Sequence, residues 1–188
     1  MNIYVITSSP NKDGLTAACA AAAVEGIQSA GGEATQINLN DLDVGQCKAC
    51  QNGWGTCQAE HRCEKDDDFQ SIHASLSKAD ALVLVSPVYW GEMSESAKGF
   101  TDRLRRCEAT RQRGESILFG KPVIAVAAAG GSGGGMISCL ASMERWILHV
   151  TARVYDLIPV NRWSREYKLA AIREAASTMR REGFGESK

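Results

Sequence analysis

The chain has no stretch that could cross a membrane. Its longest strongly apolar runs, Ala81–Val85 and Val123–Ala129, fall far short of the roughly 20 residues required. Its net charge is only −1, so no bulk field draws it to nucleic acid or anionic lipid. Four prolines in 188 residues exclude collagen-like and proline-rich disordered classes. The dinucleotide fingerprint GxGxxG is absent. The one Gly-Lys pair, Gly120-Lys121, runs into Pro122 and makes no Walker loop. The three histidines, His61, His73 and His149, are scattered, and His149 reads as a core or interface histidine. The opening MNIYVITSSP lacks the basic flank and long apolar region of a signal peptide and reads as a strand. These absences favour a cytoplasmic protein with neither nucleic-acid nor membrane partners.

Cysteine, by contrast, is abundant. Seven without a secretion signal suit a reducing compartment. Cys19, Cys107 and Cys139 sit in helix-like segments and read as small buried hydrophobes. Cys47, Cys50, Cys57 and Cys63 crowd into one polar segment, 45–65.

Strands and helices alternate along the chain. Ile3–Thr7 is β-rich, and an Ala-rich helix runs from Gly14 to Ala30, stopped by Gly31-Gly32. Ala34–Leu39 reads as a second strand. The Asp66-Asp67-Asp68 run opens a helix to about Lys78, its acids suited to the positive end of the helix dipole. Ala81–Ser86 and Pro122–Ala129 are continuous apolar strands of the kind buried on both faces of a parallel sheet. Helices are expected near Ser94–Cys107 and Ile137–Val150. A weaker fifth strand covers Arg153–Val160, followed by an amphipathic helix over Arg165–Arg181. The expected architecture is a doubly wound five-stranded parallel sheet, order 2-1-3-4-5, with helices on both faces. One domain spans 1–182, the cysteine-rich loop 45–65 is inserted after the second strand, and 183–188 reads as a tail.

In such sheets ligands bind beyond the carboxyl ends of the strands. The loop after the first strand carries Ser8, Ser9, Asn11, Gly14, Leu15 and Thr16 at the start of a helix, where free N–H groups receive phosphate. An ordinary capped turn is the plainer reading. Ser86-Pro87-Val88-Tyr89-Trp90-Gly91 follows the third strand and offers two aromatics to a planar ring, or else a hydrophobic cap on the sheet. Ala129, Gly130, Gly131 and Gly134 belong to a glycine-rich loop after the fourth strand, with no side chains to hold a ligand off. A phosphate loop, an aromatic loop and a glycine-rich loop lining one crevice suit a mononucleotide with a flat heterocycle, FMN first among them.

With those residues in view, the chain resembles the flavodoxin-like NAD(P)H-dependent FMN reductases, on the branch that includes iron–sulfur flavoproteins. The resemblance covers about residues 1–160 and rests on SSPNKDGLT (8–16), CKAC…CEKDDDF (47–69) and SPVYWGEMSESAKGFTDR (86–103). It implies a ribityl-phosphate site at Ser9, Asn11, Gly14, Leu15 and Thr16. It implies ring contacts at Pro87, Val88, Tyr89, Trp90 and the Gly130–Gly134 loop, and NAD(P)H as electron donor. Asp102 and Arg103 match a helix motif and read as a surface or interface ion pair. Iron–sulfur members carry a compact cysteine run, C-x2-C-x2-C-x4–7-C, whereas this chain has C-x2-C-x6-C-x5-C. We therefore favour no metal in the segment. Free thiols or a Cys47–Cys50 redox pair would remain, with a 4Fe–4S cluster and then zinc as alternatives held by Cys47, Cys50, Cys57 and Cys63.

The expected activity is transfer of electrons from NAD(P)H through FMN to a quinone, a small electrophile or a protein acceptor, in a homodimer or higher homo-oligomer. No residue is assigned an acid or base role, because the flavin carries the chemistry. A flavodoxin-type carrier without nicotinamide activity and a metal-dependent interaction module are the rivals. The first lacks the strong negative charge that would steer it to basic partners.

Overall fold

The computed structural model describes residues 1–182. Its elements are β1 (Asn2–Thr7), α1 (Leu15–Ser29), β2 (Glu33–Asn38), α2 (Thr56–Ala59), α3 (Phe69–Leu76), β3 (Ala81–Tyr89) and β4 (Glu92–Met93). There follow α4 (Glu95–Glu108), β5 (Pro122–Ala129), α5 (Met136–His149), β6 (Arg153–Asn161) and α6 (Arg165–Glu182). The tail expected at Gly183–Lys188 lies outside the described residues.

Five strands pair in parallel in the order β2-β1-β3-β5-β6, and β4 pairs antiparallel with the end of β3. Apart from that small arm, this is the expected flavodoxin-like sheet. Alternation along β3 explains its two apolar faces. Leu82 and Leu84 join Phe69, Phe100, Leu104 and Trp146 beneath α3, α4 and α5. Ala81, Val83 and Val85 join Ile3, Val5 and Ile124 beneath α1 and α6. Both leucines are fully buried, so Leu→Ala at either would cost about 2–5 kcal/mol. On the other face α6 buries Ile172, Ala176 and Met179, with Leu169 packed at their edge, as its periodicity requires. The helices α1 and α6 meet closely because Gly26 has no side chain. A Cβ there would lie 2.2 Å from the Arg173 carbonyl oxygen.

Several local expectations need correction. The third strand does not stop at Ser86. It continues through Pro87, Val88 and Tyr89, and Pro87 still registers with Ala128 of β5. Trp90 and Gly91 then form a two-residue turn with φ of 51° and 83°. Positive φ at both positions matches the twist of the flanking strands. Helix α3 starts at Phe69, with no acid in its first turn. Asp67 instead accepts the Phe69 N–H at 3.1 Å through one carboxylate oxygen and binds Arg103 through the other.

Candidate functional site

The loops after β1, β3 and β5 emerge along one edge of the sheet, because these strands are parallel neighbours. Gly14 is the N-cap of α1. No side chain caps the helix and no acid occupies its first turn. Its leading N–H groups carry partial positive charge and are open to an anion. Thr16 lies in that first turn, buried. Ser9 accepts the Asn11 N–H at 3.2 Å, and Asn11 accepts the Asp13 N–H at 3.4 Å, so these side chains also shape the loop. Leu15 packs against the α1–α6 core from the same turn.

Ser8 is placed differently. It is fully buried, and its hydroxyl accepts from Ser94 Oγ at 2.9 Å. The Ser94 hydroxyl also lies 3.0 Å from the Ser8 carbonyl, and the Ser94 N–H donates to Ser86 Oγ at 3.1 Å. This serine network ties the β1 loop to the start of α4. Ser8 therefore holds the loop rather than offering its hydroxyl to a ligand.

The turn of the β3–β4 arm touches the glycine-rich loop backbone to backbone. A Cβ on Gly135 would sit 2.5 Å from Gly91 Cα, and Gly135 has a φ of 82°. Ser138 Oγ donates to the Gly91 carbonyl at 2.9 Å. Gly130 and Gly131 face open space, and Gly134 meets only Ser132 Oγ at 3.5 Å. Ala129 is buried at the end of β5. Tyr89 is 41% exposed and Trp90 fully exposed. Val88 packs against the core beneath them. Gly135 was not singled out in the sequence. Its signal is the approach to Gly91, which no local pattern encodes.

Tyr89 and Trp90 border a cleft of about 450 Å³ that also reaches Gln46, Cys47, Lys98 and Asp102. That volume is within the range of cofactor sites. Gln46 and Cys47 also border a second, more enclosed pocket lined by all four clustered cysteines, Cys47, Cys50, Cys57 and Cys63. Fold and loop thus place the cysteine pocket beside the aromatic cleft. Glu64 beside Cys50 pushes that thiol up. Among the described residues no three His, Cys, Asp or Glu side chains are placed to grip a single metal ion.

Helix α4 supports this pocket with two arginines. Arg103 is 1% exposed and not the surface ion pair expected. It sits in the apolar stripe of Ala97, Phe100, Leu104 and Cys107, a spacing that marks a buried arginine once the helix is drawn. Its Nη1 donates to Asp67 at 2.7 Å and to the Gly45 carbonyl at 3.1 Å, and its Nη2 to the Lys65 carbonyl at 3.3 Å. Its Nε donates to Cys63 Sγ at 3.3 Å, and the guanidinium lies 4.2 Å from the Phe69 ring centroid. Burial alone would raise the Asp67 carboxyl. Arg103, Lys65 and the Gly45 N–H outweigh it and hold the carboxyl well below the usual range. Arg106 donates to the Gly53 carbonyl and lies 4.8 Å from the Trp54 ring centroid. Asp102, by contrast, does form a surface pair, with Lys98 at 2.5 Å.

The three scattered cysteines are fully buried. Burial pushes Cys19 and Cys107 up to about 12 and Cys139 to about 11, which leaves them unreactive thiols. His149 is exposed, not part of the core.

The chain is similar to known flavoproteins in sequence and in fold. The chain is 28% identical over 147 residues to an iron–sulfur flavoprotein from Methanosarcina thermophila, covering 78% of this chain and 73% of that protein. It is 32% identical over 105 residues to one from Methanocaldococcus jannaschii, covering 56% of this chain and 52% of the relative. Against an Archaeoglobus fulgidus iron–sulfur flavoprotein it spans 46% of the relative's length. In structure it superposes on an NAD(P)H:quinone oxidoreductase from Methanothermobacter marburgensis with a TM-score of 0.74 at 19% identity, covering 100% of this chain and 99% of that one. An archaeal flavodoxin superposes with a TM-score of 0.63 at 16% identity over 97% and 98% of the two chains. These likenesses carry the fold. Residues 1–156 match the family model of NADPH-dependent FMN reductase, so the chain belongs to that family and is an FMN-dependent flavoprotein oxidoreductase.

Proposed function

We propose that this protein takes electrons from NAD(P)H and delivers them to a quinone, a small electrophile or a protein acceptor. The observation that carries this reading is the convergence of an uncapped helix start, an aromatic turn and a glycine-rich loop on one sheet edge. FMN, when bound, supplies a ring that accepts a hydride and releases electrons. The chain's part is to hold it. The N–H groups of α1, with Ser9, Asn11, Gly14 and Thr16, receive the phosphate. Pro87, Val88, Tyr89, Trp90 and Gly91 border the ring, while Gly130, Gly131 and Gly134 leave room for close approach. The relatives' names and the four thiols around one pocket support a further cofactor, a 4Fe–4S cluster held by Cys47, Cys50, Cys57 and Cys63. Four cysteines around one pocket supply the number of thiolate ligands that such a cluster takes. Such a cluster would supply one-electron transfer beside the flavin cleft, with Cys47 bordering both.

The assembly is proposed to be a homodimer, with the exposed Trp90 at the rim of the site available for a partner to cover. A cytoplasmic location suits seven free thiols. No helix among the described residues is long and apolar enough to span a membrane.

The decisive experiment is an anaerobic absorption spectrum and iron analysis of fresh protein, followed by NAD(P)H titration. Bound FMN that bleaches on addition of NAD(P)H is expected. Colourless protein that takes up no FMN would overturn the reading. Flavin that stays oxidised would leave a carrier without nicotinamide activity.

A further inference from the structure

Arg103 is a costly residue to place where it is. A guanidinium withdrawn from water must be fully paired and hydrogen-bonded to be tolerated. Three of its four polar contacts meet that need, through the Asp67 carboxylate and the Gly45 and Lys65 carbonyls. The fourth, Nε to Cys63 Sγ at 3.3 Å, reaches the wall of the cysteine pocket. Among the described residues this is the only bond from a cationic side chain to a sulfur of that segment. Two of the other three cations lining the pocket, which also include Lys48, are engaged elsewhere. Lys65 pairs with Asp67 at 2.8 Å, and Arg106 binds the Gly53 carbonyl and the Trp54 ring. The fork is also fixed in orientation, stacked on Phe69 and anchored on a helix of the core.

We propose that Arg103 is a positioning residue for the iron–sulfur centre, fixing Cys63 Sγ on the pocket wall and stabilising the reduced state of the centre. This rests on the cluster reading above. Reduction adds one electron, and its negative charge is shared with the cysteine sulfurs. An N–H donated to a sulfur from a buried cation favours that added charge, because hydrogen bonds to cluster sulfurs help set the potential. A purely structural cross-link between α4 and the loop would hold the segment in place without changing the reduction equilibrium.

The test compares wild type, R103M, R103K and R106M, purified anaerobically, by iron per subunit and by reduction midpoint followed with electron paramagnetic resonance. Four irons are expected in wild type. R103M should keep its iron and disfavour the reduced state about tenfold, which is about 59 mV for a one-electron couple. R103K, which keeps the charge but loses the fixed fork, should lie between R103M and wild type. R106M should shift by less than a third of the R103M change. If R103M does not fold, the double variant D67N/R103M, which removes both buried charges, takes its place. Wild-type midpoint and spectrum in an iron-replete R103M would overturn the role of Arg103 alone. An equal shift in R106M would reduce that role to general charge and overturn the hydrogen bond to Cys63. No iron in wild type would overturn the cluster reading, and this inference with it.

Discussion

Replacing Gly135 with alanine should wedge two loops of the proposed flavin site apart. The added Cβ would lie 2.5 Å from Gly91 Cα and 2.9 Å from Gly91 N, both backbone atoms. Ordinary carbon–carbon contact is about 3.5–4.0 Å, so the loops must part by about 1 Å. The residue also has a φ of 82°, a left-handed conformation that costs a side-chain-bearing residue about 1–2 kcal/mol. Together with forced overpacking, the expected loss of stability is about 2–4 kcal/mol. For a chain of this length that is roughly 6–12 °C in Tm. A displacement of about 1 Å at a binding site weakens function by up to about hundredfold. We therefore expect FMN affinity to fall ten- to hundredfold. The assay pairs flavin fluorescence quenching with thermal unfolding of the apoprotein. G134A is the control, because a Cβ there meets only Ser132 Oγ at 3.5 Å and Gly134 is not among the positive-φ glycines. It should change stability by less than about 0.5 kcal/mol. If G135A matches G134A in Tm and the wild type in FMN affinity, the close approach of the two loops has no part in shaping the site.

Thr16→Val should weaken FMN binding about tenfold or more while leaving apoprotein stability unchanged, since a hydrogen bond to a charged phosphate contributes about 1.5–3 kcal/mol; isothermal titration reads the first and thermal melting the second. FMN should outcompete FAD in a fluorescence competition, because one helix start offers one anion site, and equal affinities would contradict a mononucleotide site. The Asp67 carboxyl titrates lower in the folded than in the unfolded chain, so its stabilisation is full above the unfolded value near 3.9 and is lost as pH falls below it. Guanidinium unfolding at pH 3 and pH 6 should show this loss, and D67N should show a smaller difference between the two and, at pH 6, a deficit of about 3–5 kcal/mol for an unpaired Arg103. In iron-free native protein at pH 8, iodoacetamide should modify no more than the four loop cysteines, with Cys19, Cys107 and Cys139 reacting only after denaturation, as mass spectrometry can count.

The order of elements was legible in the chain itself because each signal is local. Ala81–Val85 and Pro122–Ala129 are apolar at every position, which only a sheet covered on both faces accommodates. The Ala-rich α1 and the periodic α6 declare their helices by propensity and spacing. Loops after parallel strands then fall on one edge by topology alone, so the phosphate, aromatic and glycine-rich segments could be read as one crevice. What the chain could not announce depends on contacts across long separations. Tyr89-Trp90-Gly91-Glu92 lacks the Asn-Gly or Asp-Gly signal of a tight hairpin, and pairing with Met93 decides the turn. Arg103 reads as a surface charge until α4 is packed and Asp67, 36 residues earlier, arrives to neutralise it. Gly135 is one glycine among five in its loop until its backbone meets Gly91. The four cysteines have an irregular spacing, yet the path of residues 45–65 around α4 brings them to one pocket beside the aromatic cleft. Periodicity and propensity act over a few residues and build the scaffold, while charge pairing, close backbone approach and shared cavities arise only when distant segments are packed together.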